Sequence, residues 1–131
     1  MTPDQILAMP AGPKMDKLLA EAVMQWYRDS NGSWRTSNGS HPPGKPCWIE
    51  GYRQDLHGFN WHPSWSPSQN MTDAWQVAIW LREYFGSFSL LAGLGWHCWG
   101  GVLQPEQYGS GDTPELAICR AALLVHFSRE K

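Results

Sequence analysis

Along this chain the apolar residues alternate between a helical and a strand-like period, and that order leaves few folds open. Behind Gly12-Pro13, the residues Met15, Leu18, Leu19, Ala22, Val23 and Trp26 recur at three- and four-residue spacing. Asp16, Lys17, Glu21 and Gln25 fill the other side, so the pattern predicts an amphipathic helix over 13–28. A short helical turn at 4–9 precedes it, stopped by Pro10. Residues 47–62, with Trp48, Ile49, Tyr52, Leu56, Phe59 and Trp61, read as strand or hairpin around a turn at 55–58, ended by Pro63 and Pro67. Ser68 then caps a helix over 69–85, whose stripe of Met71, Ala74, Trp75, Ala78, Ile79 and Leu81 is widened by Val77 and Trp80. A stripe that broad implies packing on more than one side. Over 87–103 a hairpin is expected: Phe88-Ser89-Leu90 alternates, Gly93-Leu94-Gly95 turns and Trp96-His97-Cys98-Trp99 returns. After a polar loop at 104–111, Thr113 at the N-cap and Pro114 at the first helical position open a last helix to about Phe127, with Glu115 near its positive dipole end. The class is α/β (α+β): an antiparallel sheet of hairpins packed with about three helices in layers.

Composition narrows the function. At 131 residues and 14.8 kDa the chain fits one domain over 1–131. Ten Lys and Arg against twelve Asp and Glu exclude a general binder of nucleic-acid backbone, though a few arginines still suffice for a small anion. The most apolar run, 90–103, is broken by Gly93, Gly95, His97, Gly100 and Gly101 and is no membrane span. Met1-Thr2-Pro3-Asp4-Gln5 has neither a basic flank nor an apolar signal core, which points to the cytoplasm. Cys47, Cys98 and Cys119 are odd in number and lack close spacing, so no disulfide framework is expected.

Residues 29–46 read as a mobile loop. Ser30-Asn31-Gly32-Ser33 is echoed by Ser37-Asn38-Gly39-Ser40 around Trp34-Arg35-Thr36, before Pro42-Pro43-Gly44 forbids regular structure. The Asn-x-Ser/Thr triplets at Asn31, Asn38 and Asn70 serve turns and caps on this reading.

Two stretches carry a family resemblance. Pro67-Ser68-Gln69-Asn70-Met71-Thr72-Asp73-Ala74-Trp75, followed by Asp112-Thr113-Pro114-Glu115-Leu116-Ala117-Ile118-Cys119-Arg120-Ala121-Ala122-Leu123, resembles the phage ABA-sandwich domain family, small bacteriophage and prophage proteins. Ile6-Leu7-Ala8-Met9-Pro10-Ala11-Gly12, leading into Met15-Asp16-Lys17-Leu18 and Ala22-Val23-Met24, fits the same pattern. The resemblance implies a phage origin and an α-β-α layered sandwich, and brings no catalytic signature.

Nine tryptophans are too many to hide easily in a chain this short, because each ring is large and its indole N–H wants a partner. Some are core, and several either lie in a subunit interface or line a pocket for a flat ligand. Trp61-His62-Pro63-Ser64-Trp65 is dense, preceded by Tyr52-Arg53 and echoed by Trp96-His97-Cys98-Trp99. On a strand Trp96 and Cys98 point one way, His97 and Trp99 the other. Aromatics with Arg and His are what a protein uses to hold a nucleobase and its phosphates. The candidate ligand-binding residues are therefore Trp61, Trp65, Trp96 and Trp99 for stacking, and Arg35, Arg53, His62 and His97 for phosphate. The competing reading of the same residues is an aromatic core and dimer seam.

Arg120 falls on the apolar face of the last helix, among Leu116, Leu123, Leu124 and Phe127, and needs a partner there. An ion pair with Asp16 or Glu21 is expected; a phosphate fork is the alternative. Cys47, His57, His62, His97 and Cys98 lack the spacing of zinc sites, and no metal or other cofactor is expected. No nucleophile elbow or lysine-bearing phosphate loop occurs, so no catalytic residue is assigned. The leading expectation is a phage counter-defence protein of the host bacterial cytoplasm, acting without catalysis. It would be a homo-oligomer that sequesters a nucleotide-derived immune signal of cyclic oligonucleotide or cyclic ADP-ribose type. The alternatives are an inhibitor docking on a host defence protein, and a hydrolase of the same signals with His62 and His97 as acid and base.

Overall fold

A computed structural model gives the fold and describes residues 1–30, 34–40, 52–55, 58–61, 65–101, 104 and 107–128; for Arg28, Trp34 and residues 52–55 and 58–61 only the backbone is described. The helices are α1 (Pro3–Ala8), α2 (Pro13–Leu18), α3 (Met71–Phe85) and α4 (Pro114–Ser128). The strands are β1 (Tyr27–Arg28), β2 (Trp34–Arg35), β3 (Tyr52–Asp55), β4 (Gly58–Trp61), β5 (Phe88–Gly93), β6 (Gly95–Gly100) and β7 (Gly109–Gly111). The class is α+β, as the sequence predicts.

The N-terminal helix does not run unbroken to residue 28. After Leu18 the backbone widens into a π turn over Leu19–Val23, where the Met24 N–H reaches the Leu19 carbonyl. Gln25 then takes a left-handed φ of 59° and the Trp26 N–H closes onto the Ala20 carbonyl. The extra residue in the turn lets Val23 and Trp26 both enter the core. Tyr27 and Arg28 then pair antiparallel with Arg35 and Trp34. Within the expected loop at 29–46, residues 34–40 thus hold β2 and a turn; 31–33 and 41–46 lie outside the described residues.

Ser68 is not the cap of α3. Asn70 is, its side chain accepting from the Asp73 N–H, and Gly86 ends the helix at a φ of 84°. Ser68 works on α2 instead: its N–H donates to Asp16 Oδ1 at 2.8 Å, and its hydroxyl accepts from the Gly12 N–H. Asp16 is therefore buried rather than on a solvent side.

β5 and β6 form the expected hairpin about Gly93-Leu94-Gly95, running from Phe88 opposite Gly100 to Gly93 opposite Gly95. The segment expected to be a polar loop supplies a third strand, since Gly109, Ser110 and Gly111 pair with Cys98, His97 and Trp96. Glycine is required there. A Cβ on Gly109 would run into the α4 backbone at Ala117 and Ala121, so the missing side chains let the strand lie directly on the helix. α4 opens as expected, with the Leu116 N–H donating to Thr113 Oγ1. It is buried around nearly its whole circumference, between the sheet on one side and α1 and the π turn on the other.

Candidate functional site

Strand alternation sorts the sheet into two faces. Leu90, Trp96 and Cys98 turn toward the helices and join the core cluster, and Gly100 lies against Phe85 of α3. Ser89, Leu91, His97, Trp99 and Ser110 fall on the opposite face by register. Among the described residues no helix packs on that face. Tyr108, just before β7, gathers its aromatics into a row. Its ring stacks on Trp99 with centroids 5.7 Å apart and planes 17° from parallel, and meets His97 at 5.3 Å. All three side chains are half-buried, so the row is held yet still presents surface. His97 Nδ1 is buried without a hydrogen-bond partner among the described residues. Gly93 sits beside the His97 ring, where an added Cβ would come no closer than 3.7 Å, which leaves the ring uncrowded on that side.

The structure brings two of the eight expected ligand residues together here, His97 and Trp99. Trp96 lies on the same strand but faces the helices. Trp65 is a core residue, 2% exposed; its indole N–H donates to the Asp16 carbonyl at 2.9 Å and its ring packs on Trp26 at 4.6 Å. That burial leaves no ring face for a base to stack on. Arg35 is held by its own hairpin, with Nε donating to Asp29 Oδ2 at 3.0 Å and a terminal nitrogen to the Gly39 carbonyl. Arg53 and Trp61 occupy the β3–β4 ladder opposite Asn60 and Tyr52; their side chains, and His62 altogether, lie outside the described residues. Tyr108 is the residue that sequence reasoning missed. The signal was present: a lone aromatic just before Gly109-Ser110-Gly111, in a segment read as loop because three small residues carry no strand period.

Arg120 does not pair with Asp16 or Glu21. Its two terminal nitrogens donate to the Ser110 carbonyl at 2.8 Å and the Met9 carbonyl at 2.9 Å, clipping β7 and the end of α1 onto α4. Burial lowers its pKa, opposed by the charge of Asp112, and Nε has no partner among the described residues. It lines an open pocket of about 550 Å³ with Pro10, Ser68, Gln69, Asp112 and Glu115, where two carboxylates stand against an anionic ligand. A smaller cavity of about 280 Å³ lies between Met1, Ile6, Leu124 and Phe127, with Gln107 and Ser128 at its polar side. Neither contains the aromatic row. Among the described residues no cluster of three His, Cys, Asp or Glu side chains could hold a metal ion. Burial pushes the Cys98 thiol up to about 12 and the Cys119 thiol well above its ordinary range, which keeps both protonated.

The model of the phage ABA sandwich domain matches residues 17–123, from the last turn of α2 to the middle of α4. The chain belongs to that family. The match takes in the sheet, its aromatic row and both helices that back it. As a member, the protein is a phage accessory protein of sandwich architecture. No curated protein and no solved structure matches the chain. Among the described residues no helix is long and apolar enough to cross a membrane.

Proposed function

We propose that this phage accessory protein works in the host bacterial cytoplasm by binding and sequestering a nucleotide-derived immune signal, without chemically changing it. The observation that supports the reading is the row of His97, Tyr108 and Trp99 on the outer face of the sheet. The near-parallel, partly exposed rings of Trp99 and Tyr108 offer a stacking platform, and each base stacked on such a ring gains about 1–3 kcal/mol. His97 and Trp99 are fixed by β6 and Tyr108 stands directly before β7, so little ordering is needed at binding. A ligand of this class combines a flat base with phosphate, and His97 beside the platform is the side chain suited to the phosphate.

The test is incubation of the protein with a panel of cyclic oligonucleotides and cyclic ADP-ribose isomers, then measurement of the free ligand. Heat denaturation and mass analysis of what is released follow. Depletion with intact release, lost in Trp99→Ala and Tyr108→Ala, is the expected result. Release of an altered product makes the protein an enzyme. No depletion turns attention to a protein partner, a reading favoured by Leu94, 99% exposed at the tip of the β5–β6 hairpin.

A further inference from the structure

Among the described residues the three-stranded sheet ends at β5. Among the described residues β5 pairs with β6 alone, so alternate residues direct their N–H and C=O groups outward with no strand to receive them. Where no helix or loop covers it, an edge strand is ordinarily protected by its own charge, proline, bulge or sheer shortness. Phe88-Ser89-Leu90-Leu91-Ala92-Gly93 has none of these: it is six residues long, uncharged and proline-free, and its register against β6 runs without a bulge. Apolar surface borders the edge on both faces of the sheet. On the outer face Leu91 is 55% exposed. On the helix side Trp75 of α3 is 50% exposed and meets the Phe88 ring edge-on at 5.8 Å.

We propose that β5 is the edge through which two copies of this chain pair, antiparallel across a two-fold axis perpendicular to the sheet, to make one continuous six-stranded sheet. Three features select a second copy over another occupant. An open strand edge takes an extended chain, since only that satisfies its outward N–H and C=O groups. A two-fold axis sets the residues beside it against their own copies, where a charge would oppose its like, and β5 carries no charge. Finally, Leu91 and Trp75 lie on opposite faces of one edge. A ligand lying on either face covers one of them, whereas a second copy brings its own strand and its own helix layer and covers both. The axis keeps the outer faces on one side, with the two β6 strands three strand spacings apart, about 14 Å. The pairing rests on the edge alone and stands whether or not the aromatic face takes a nucleotide.

Light scattering and sedimentation of the full chain test this. The expected species is a dimer of twice 14.8 kDa. Leu91→Lys on the outer face and Trp75→Lys on the helix side each raise the dimer dissociation constant by roughly tenfold or more, the loss typical of an interface anchor. Leu7→Lys, an equally charge-adding change at an exposed leucine of α1, leaves the dimer intact. Near-ultraviolet circular dichroism confirms that each variant is folded, and hydrogen exchange finds the outward amides of β5 protected in the wild type and released in Leu91→Lys. A monomer at concentrations up to about 100 μM, above the range of standard-sized interfaces, overturns the proposal. So does a dimer that both edge substitutions leave unchanged.

Discussion

Gly109 gives the sharpest test of how the sheet is seated. A methyl group built there falls inside van der Waals contact with the Ala117 carbonyl oxygen and the Ala121 nitrogen, and 2.8 Å from Ala121 Cα. All three are helix backbone, which has no rotamer to yield. Ordinary carbon–carbon contact lies at about 3.5–4.0 Å, so β7 and α4 must part by roughly 1 Å. Separation also strains the neighbouring bond from Arg120 to the Ser110 carbonyl. Overpacking a core costs about 1–3 kcal/mol. Backbone against backbone places Gly109→Ala at the upper end, about 3 kcal/mol of a total stability of roughly 5–15 kcal/mol. For a domain of this size that lowers Tm by about 10 °C or more.

Two other glycines calibrate the result. In Gly111→Ala the new methyl meets Leu116 Cγ at 2.9 Å, Leu116 Cβ at 3.0 Å and the Ala117 nitrogen at 3.2 Å; only Cγ can turn aside, yet every contact is longer than the closest ones at Gly109, so about 1–2 kcal/mol is expected. In Gly93→Ala the nearest neighbour is the His97 ring at 3.7 Å, an ordinary contact, and stability stays within about 0.5 kcal/mol. Thermal and urea unfolding followed by circular dichroism rank the three. If Gly109→Ala melts with Gly93→Ala, β7 does not lie on α4 and the sheet is attached some other way.

Three further outcomes are expected. Burial, reinforced by the nearby Asp73 charge, raises the Asp16 pKa above its ordinary 3.8 against the lowering effect of its bonds from Ser68. The native state then holds that proton more readily than the unfolded chain. Asp16 therefore makes stability fall as pH rises from about 3.8 through its native pKa, a slope that Asp16→Asn removes in urea titrations at stepped pH. Asp16→Ala instead costs about 1–3 kcal/mol, because the Ser68 N–H loses its acceptor. Arg120→Met keeps much of the apolar stem but strips donors from the Ser110 and Met9 carbonyls, and lowers stability by about 2–4 kcal/mol in the same assay. In a Cys47→Ser background, Cys98 and Cys119 react with a thiol reagent at the rate of global unfolding rather than of thiol encounter, since both are buried and held protonated; fast labelling of the native protein would contradict their burial.

What could be read from the residues follows from how far their partners lie along the chain. The β5–β6 hairpin and the start of α4 are local: Gly-Leu-Gly between alternating runs, and Thr-Pro-Glu before an apolar one, each carry their own instruction within a few residues. The faces of β6 were legible for the same reason, since alternation alone separates Trp96 and Cys98 from His97 and Trp99. Asp16 and Arg120 were not. Both were placed on a helix, yet the partner of one is 52 residues away at Ser68, and the other divides its donors between Ser110, 10 residues away, and Met9, 111 residues away. Nothing local marks a backbone carbonyl as the acceptor for a guanidinium. Tryptophan shows the same limit: Trp65 in the core, Trp75 at the sheet edge and Trp99 on the outer face are chemically identical, and only the elements around them assign their surroundings. Arg120 joins β7 to α4 through the Ser110 carbonyl, so the helix behind the sheet fixes the strand whose end carries Tyr108, and the outer aromatic face is held from behind by a contact that no local pattern announces.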